Sequence, residues 1–154
     1  VTGERTDTHP DVTHDVRELV HQVFEAWSSE DPELVAARFH PDATFFDSVN
    51  GQFEGREAIK AFYARSLDAW DDQRSRATRV WVDGDTAACT WTMTGRMKGS
   101  KFGDKLAGRK ARIDGMAWIS FRDGLVVHDE EYFDRQAPMA SLEGQGFVLP
   151  RHGE

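Results

Sequence analysis

Cysteine is nearly absent. Cys89 is the only one in 154 residues, which excludes an intramolecular disulfide and any multi-cysteine zinc site. No apolar run approaches the ~18 residues of a membrane span, and no signal-peptide pattern opens the chain. The expectation is a soluble cytoplasmic protein with no membrane partner. Basic residues are outnumbered, 19 Lys and Arg against 27 Asp and Glu, for a net charge of −8. That balance repels phosphate backbones and argues against nucleic acid as a partner. A phosphate-binding glycine motif at a strand-to-helix junction is missing too, and the glycines at 99–108 do not make one. There are no repeats and no second domain.

What is present is apolar and aromatic. Hydrophobic residues make up 39% of the chain, with five Trp and ten Phe, enough for one domain with its own core. Residues 1–11 carry almost no large apolar side chain and read as a flexible N-terminal segment. Val12, Val16, Leu19, Val20, Val23 and Trp27 then share a 3.6-residue stripe, which predicts an amphipathic helix capped by Thr13. Asp31-Pro32 couples an N-cap to proline at the first helical position and opens a second helix through Phe39, broken by His40-Pro41-Asp42. Ala43–Asp47 reads as a short strand ended by the polar loop Ser48–Gln52. A third helix runs from Arg56 to Trp70, with Ala58, Ile59, Phe62, Tyr63, Leu67 and Trp70 along one side. After it the period becomes two, with strands at 74–83 and Thr86–Met97 and a long hairpin loop at 99–108. The tail, 136–154, has no clear period, although Phe147, Val148 and Leu149 are apolar enough to dock.

The densest signal lies between 110 and 134. Strands at 110–121 and 125–134 flank the Arg122–Asp123–Gly124 turn, where glycine accepts the positive φ that the turn requires. Alternation puts Leu125, Val127, Asp129, Glu131 and Phe133 on one face of the second strand, and Val126, His128, Glu130, Tyr132 and Asp134 on the other. A face that starts apolar and then carries two carboxylates suits proton transfer if it looks into a cavity, and is a solvated rim if it looks into water. His128 falls outside any cavity that Glu131 enters. On the first strand, Met116 and Trp118 alternate with Ala117, Ile119 and Phe121, so both faces are apolar. With helices on one face, a sheet-to-sheet homodimer is expected to cover the other. The fold class is α+β: three N-terminal helices packed on one side of a curved, mainly antiparallel sheet of four or more strands.

The run RFHPDATFFDSVNGQFEGREAIKAFYARSL resembles the signature region of the nuclear transport factor 2-like superfamily, in particular ketosteroid isomerase and the SnoaL-type polyketide cyclases. The run FRDGLVVHDEEYFD resembles the last hairpin of the same families, including limonene epoxide hydrolase. The match in order and spacing spans Val12 to Asp134, so the resemblance implies a SnoaL-like domain over 12–135. Its shape would be an α+β cone, a curled sheet around a long helix with a deep apolar pocket at one end. The resemblance places Asp47 at the isomerase's general base and Glu131 at the cyclases' acid/base carboxylate, with Asp129 where the cyclases have a His. The isomerase binds its oxyanion with a Tyr and a protonated Asp; those positions fall near Val23 and Ala117 here. The epoxide hydrolase needs an Arg-x-Asp on a neighbouring strand, and 86–97 offers Trp91-Thr92-Met93 instead.

Inside an apolar cone a carboxylate loses hydration, its pKa rises, and it becomes a proton shuttle near neutrality. Several carboxylates together split their titrations, one keeping a proton while another stays ionised. The candidate catalytic residues are therefore Asp47, Glu131 and Asp129. The candidate substrate-binding residues are Val23, Trp27, Phe39, Phe62, Trp91, Met93, Ala117 and Ile119. Plainer readings stand beside these: Asp at a strand end often just starts a turn, the two strand carboxylates also fit a solvated mouth, and the large apolar residues also fit plain core. The expected function is acid/base catalysis, without cofactor or metal, on a hydrophobic cyclic or polyketide-like small molecule. Cyclisation, isomerisation or dehydration through an enolate is the expected reaction, which is cyclase- or isomerase-like (lyase or isomerase). The alternatives are a noncatalytic binding or dimerisation module of the same fold, or an epoxide hydrolase.

Overall fold

The structure, a computed structural model, describes residues 14–143. Helix α1 (Val16–Trp27) opens at Asp15, whose carboxylate accepts from the backbone N–H of Arg17 at 3.0 Å and of Glu18 at 3.4 Å. Asp15 rather than Thr13 is the cap, because it supplies the acceptor that first-turn donors lack. Val12 and Thr13, like 1–11 and Phe147–Leu149, lie outside the described residues. The expected stripe is the buried one, with Val16, Val20, Val23 and Trp27 all turned inward. Helix α2 (Pro32–Ala36) is capped by Asp31, as the Asp-Pro pair predicts, but stops short of Phe39. Phe39 instead opens strand β1 (Phe39–Asp47), where it pairs with Val126. His40-Pro41-Asp42 does not precede the strand but lies within it. The ladder register shifts between Phe39 and Thr44, so Pro41 sits where no ladder N–H is required.

Strand β2 (Gly51–Glu54) folds back on β1, with Asp47 opposite Gly51, where the sequence suggests only a loop. Helix α3 (Arg56–Ser66) ends before Trp70, which belongs to β3 (Trp70–Asp83) and pairs with Met97. Strand β4 (Thr86–Met97) has the expected bounds. The segment read as a long loop contains one short helix, α4 (Gly99–Phe102). Strands β5 (Lys110–Arg122) and β6 (Leu125–Phe133) form the expected hairpin. Helix α5 (Ala137–Leu142) follows in the segment that showed no period; the Ser141 hydroxyl accepts from the Arg112 N–H at 3.0 Å and so ties it to β5.

The six strands run in the order β2-β1-β6-β5-β4-β3, a curved, unclosed sheet. Among the described residues only the β1–β6 pair is parallel. The helices cover one face, making the α+β cone. At its centre Trp27 meets Phe45 at 5.4 Å and Tyr63 at 5.1 Å between ring centroids, and Tyr63 donates to the Trp27 carbonyl oxygen at 2.8 Å. One correction concerns β6. Register passes from Ser120 opposite His128 to Phe121 opposite Val126, leaving Val127 unpaired in a bulge. The bulge swaps faces: Val126 is fully buried, while Leu125 and Val127 are only partly so and do not continue the face of Asp129.

Candidate active site

Sheet register brings the candidate carboxylates together. Asp47 on β1 is the direct neighbour of Glu131 on β6, and the same row continues through Ala117 on β5 to Cys89 on β4. The next row of that face is Phe133, Gly115 and Trp91. Above these rows, under the helices, lies a cavity of about 380 Å³. Its wall is largely aromatic, with Phe24, Trp27, Phe45, Phe62, Trp91 and Phe133 among the lining residues, and Asp47 and Glu131 are its acidic groups. Lys101 and Arg135 are its basic ones.

The two carboxylates are held differently. Asp47 Oδ1 accepts from the backbone N–H of Val49 at 2.7 Å and of Asn50 at 2.9 Å, and Oδ2 accepts from the Asn50 side-chain amide at 2.8 Å. Asp47 thus organises the turn Ser48–Asn50 and also lines the cavity. Glu131 is partly buried and its carboxyl is raised well above the ordinary carboxylate range. Burial is the main cause, and the charges of Asp129 and Asp47 add to it. Asp129 is fully buried, neither of its oxygens has a hydrogen-bond partner among the described residues, and burial pushes its carboxyl up to about 8.

Of the residues singled out from the sequence, Asp47, Glu131, Trp27, Phe62, Trp91 and Met93 line the cavity. Asp129 does not: it lies one row deeper, between Ile119 and Phe45. Val23, Phe39, Ala117 and Ile119 are packed core and not part of the lining. For Ile119 the reason is its row, closed by Ala87 and Asp129; Ala117 is a short side chain between Cys89 and Glu131. Several lining residues escape the sequence reading. Ile113 and Phe133 were within reach, since strand alternation puts them on the face of Glu131 and Trp91. Gln73 was not, because it enters through a shift in the β3 ladder between Asp71 and Arg74. Arg135 and Pro138 come from the stretch around α5, which carries no periodic signal. An Arg-x-Asp does exist, on β5 rather than β4: Arg112 Nε donates to Asp114 Oδ1 at 2.9 Å. Ile113 between them lines the cavity, so Asp114 belongs to the opposite face.

The cone has the ketosteroid isomerase-like α+β fold. Within it the chain belongs to the SnoaL-like domain family, whose model matches residues 20–129. No curated protein sequence matches the chain. Among solved structures it is similar to a hypothetical protein of ketosteroid isomerase-like fold from Catenulispora acidiphila, crystallised with trimethylamine. That match has 21% identity and a TM-score of 0.72, over 84% of this chain and 94% of the other. It is also similar to IdmH from Streptomyces antibioticus, a proposed polyketide cyclase, with 19% identity and a TM-score of 0.73 over 84% and 99%. An epoxide hydrolase of the limonene type from M. tuberculosis matches at 15% identity and a TM-score of 0.67, over 84% and 90%. At such identities the likeness establishes the fold. No helix among the described residues is long and apolar enough to cross a membrane.

Proposed function

We propose that the chain is an acid/base enzyme that moves a proton next to a carbonyl group of a hydrophobic cyclic molecule, through an enol or enolate. Cyclisation, isomerisation and dehydration all pass through that step. The observation that carries the reading is the pairing of Asp47 and Glu131, register neighbours on the one parallel ladder, at the wall of a cavity that is otherwise mostly aromatic. Asp47 is anchored by three N–H donors and keeps room at Oδ2, which accepts only one of them, to take a proton from carbon. Glu131, whose carboxyl is raised above the ordinary carboxylate range by burial and by its acidic neighbours, is the group that delivers one. The aromatic wall supplies the binding surface for a flat apolar frame. The Arg112–Asp114 pair is on the wrong face to serve epoxide opening in this cavity, which leaves carbon acid chemistry as the better fit.

The test follows the proton. A panel of polycyclic ketones incubated with the protein in deuterium oxide should show exchange at the carbon beside the carbonyl, followed by NMR. Asp47→Asn and Glu131→Gln keep shape and remove proton transfer, so each should slow exchange by roughly a hundredfold or more while ligand binding survives. Binding without exchange in the parent protein would make this chain a noncatalytic carrier of the same fold.

A further inference from the structure

The charges that line the cavity are sorted by position. Asp47 and Glu131 share one row of the sheet, while the two cations, Lys101 and Arg135, come from beyond the ends of β4 and β6. Those two strands run the same way, each being antiparallel to β5, so both cations lie off one end of the sheet. Arg135 is four residues past Glu131, at most roughly 14 Å of extended chain. Both cations are exposed, whereas Asp47 is 4% exposed. The cations therefore stand where the cavity meets water, and the carboxylates stand further in.

Neither cation is committed to the protein. Lys98, three residues from Lys101, pairs with Asp71 at 3.4 Å, and Arg96 pairs with Asp72 at 3.4 Å. Arg109 donates to the Leu142 carbonyl oxygen at 3.4 Å. The side chains of Lys101 and Arg135, by contrast, have no hydrogen-bond or ion-pair partner among the described residues. Asp134, next to Arg135 in the chain, turns Oδ1 to the backbone N–H of Gln136 at 2.9 Å. The segments that carry the two cations are anchored. Beside Lys101, the Phe102 ring meets Trp70 at 5.0 Å between centroids, and after Arg135 the Ser141 hydroxyl ties α5 to β5. A chain of net charge −8 repels anions in general, so two uncommitted cations at an apolar mouth reverse that field where a ligand enters.

We propose that the substrate carries an anionic oxygen group, a carboxylate or a phosphate, on the side of its ring frame away from the reacting carbon, and that Lys101 and Arg135 bind that group at the mouth. This rests on the acid/base reading above and narrows the class of molecule it acts on. Electrostatics favours this orientation over the reverse. Beside Asp47 an anion meets a carboxylate and loses its water to an aromatic wall; at the mouth it keeps part of its hydration and meets two opposite charges. The guanidinium of Arg135 offers paired N–H donors that match two oxygens of such a group, and Lys101 adds a point charge. The apolar frame then enters first, and the anion fixes which carbon reaches Asp47 and Glu131.

Naphthylpropionate and its amide test this by calorimetry, since they share a flat apolar body and differ in charge. The parent should bind the propionate roughly tenfold more tightly than the amide, with the preference fading as salt is added. Lys101→Gln and Arg135→Gln should each reduce the preference several-fold, and the double variant should abolish it with amide affinity unmoved. Both side chains are exposed, so the variants keep the fold. Naphthyl phosphate distinguishes the two sources of the anion: whichever of phosphate and propionate binds more tightly, and loses more in the double variant, is the group the mouth takes. Equal affinity for propionate and amide in the parent overturns the proposal, as does a preference that survives in the double variant or a parent that binds neither probe. None of these results bears on exchange in neutral ketones, which decides the acid/base reading separately. If Asp47→Asn and Glu131→Gln leave that exchange intact, the acid/base reading fails on its own account.

Discussion

Asp129 occupies β6 with no exposed surface and neither carboxylate oxygen partnered among the described residues. Withdrawn from water, it keeps its proton up to about pH 8, whereas its ordinary value is 3.8. Between those two values the folded chain holds more proton than the unfolded chain, so stability falls as pH rises through that window. Glu131 is raised in the same direction and adds a slope of the same sign. Asp129→Asn keeps the shape and removes the titration. The variant should gain on the parent progressively from the acid end of the window to its alkaline end, by on the order of a few kcal/mol. Thermal melts across a pH series measure this, and parallel curves for the two proteins would remove Asp129 from the account. The same substitution bears on the cavity. Once Asp129 ionises, above about pH 8, its charge opposes ionisation of Glu131, so Asp129→Asn should move an alkaline limb of ketone exchange in that range to lower pH. An unmoved limb would mean that the two groups do not communicate.

Strand β5 passes under Trp91 because position 115 has no side chain. Alanine there would bring Cβ within 2.4 Å of the indole and 2.8 Å of the Tyr132 carbonyl oxygen, which is backbone and cannot swing away. Gly115→Ala should therefore cost about 1–3 kcal/mol, read as a lower urea midpoint, and should slow exchange by displacing Trp91. An unchanged midpoint would show that the ladder yields without strain. The β5–β6 hairpin around this glycine was legible in the sequence because its turn is local chemistry: Asp123 and Gly124 both take positive φ, at 53° and 77°. Asp47 and Glu131 were legible as candidates from strand ends and alternation, together with the resemblance. What stayed hidden was decided between strands. The bulge at Val127, which puts Val126 inside, depends on the partner strand, and alternation along β6 alone cannot find it. The same holds for Gln73, turned into the cavity by the ladder shift in β3, and for β2, four residues that are strand only because β1 lies beside them. Trp70 continues the helical stripe of α3 in sequence, yet pairing with Met97 draws it into β3.

The sheet has a second face, and no helix among the described residues covers it. Trp81, Trp118, Met116 and Tyr132 stand there, each about half exposed: 50%, 52%, 48% and 50%. Register puts Trp81, Ala88, Trp118, Glu130 and Phe46 in one row across β3, β4, β5, β6 and β1. Beside the apolar groups runs a polar chain in which Thr44 Oγ1 and His128 Nδ1 are 2.6 Å apart, His128 Nε2 and Glu130 Oε2 are 3.0 Å apart, and the Tyr132 hydroxyl donates to Glu130. Large aromatic side chains aligned on one sheet face are costly to leave in water. We propose that a second copy of the chain covers them by packing sheet against sheet, since a two-fold axis sets each such row against its own equivalent. Light scattering coupled to size exclusion should give twice the chain mass for the parent and a single chain mass for Trp118→Asp or Met116→Lys. A parent that runs as a single chain at concentrations where enzymes are assayed would end the proposal. The cavity opens on the opposite side of the sheet, between strands and helices, so the monomeric variants should keep ketone exchange within a few-fold of the parent. Loss of exchange together with the dimer would instead show that the second copy holds β5 and β6, and with them Trp91 and Glu131, in place.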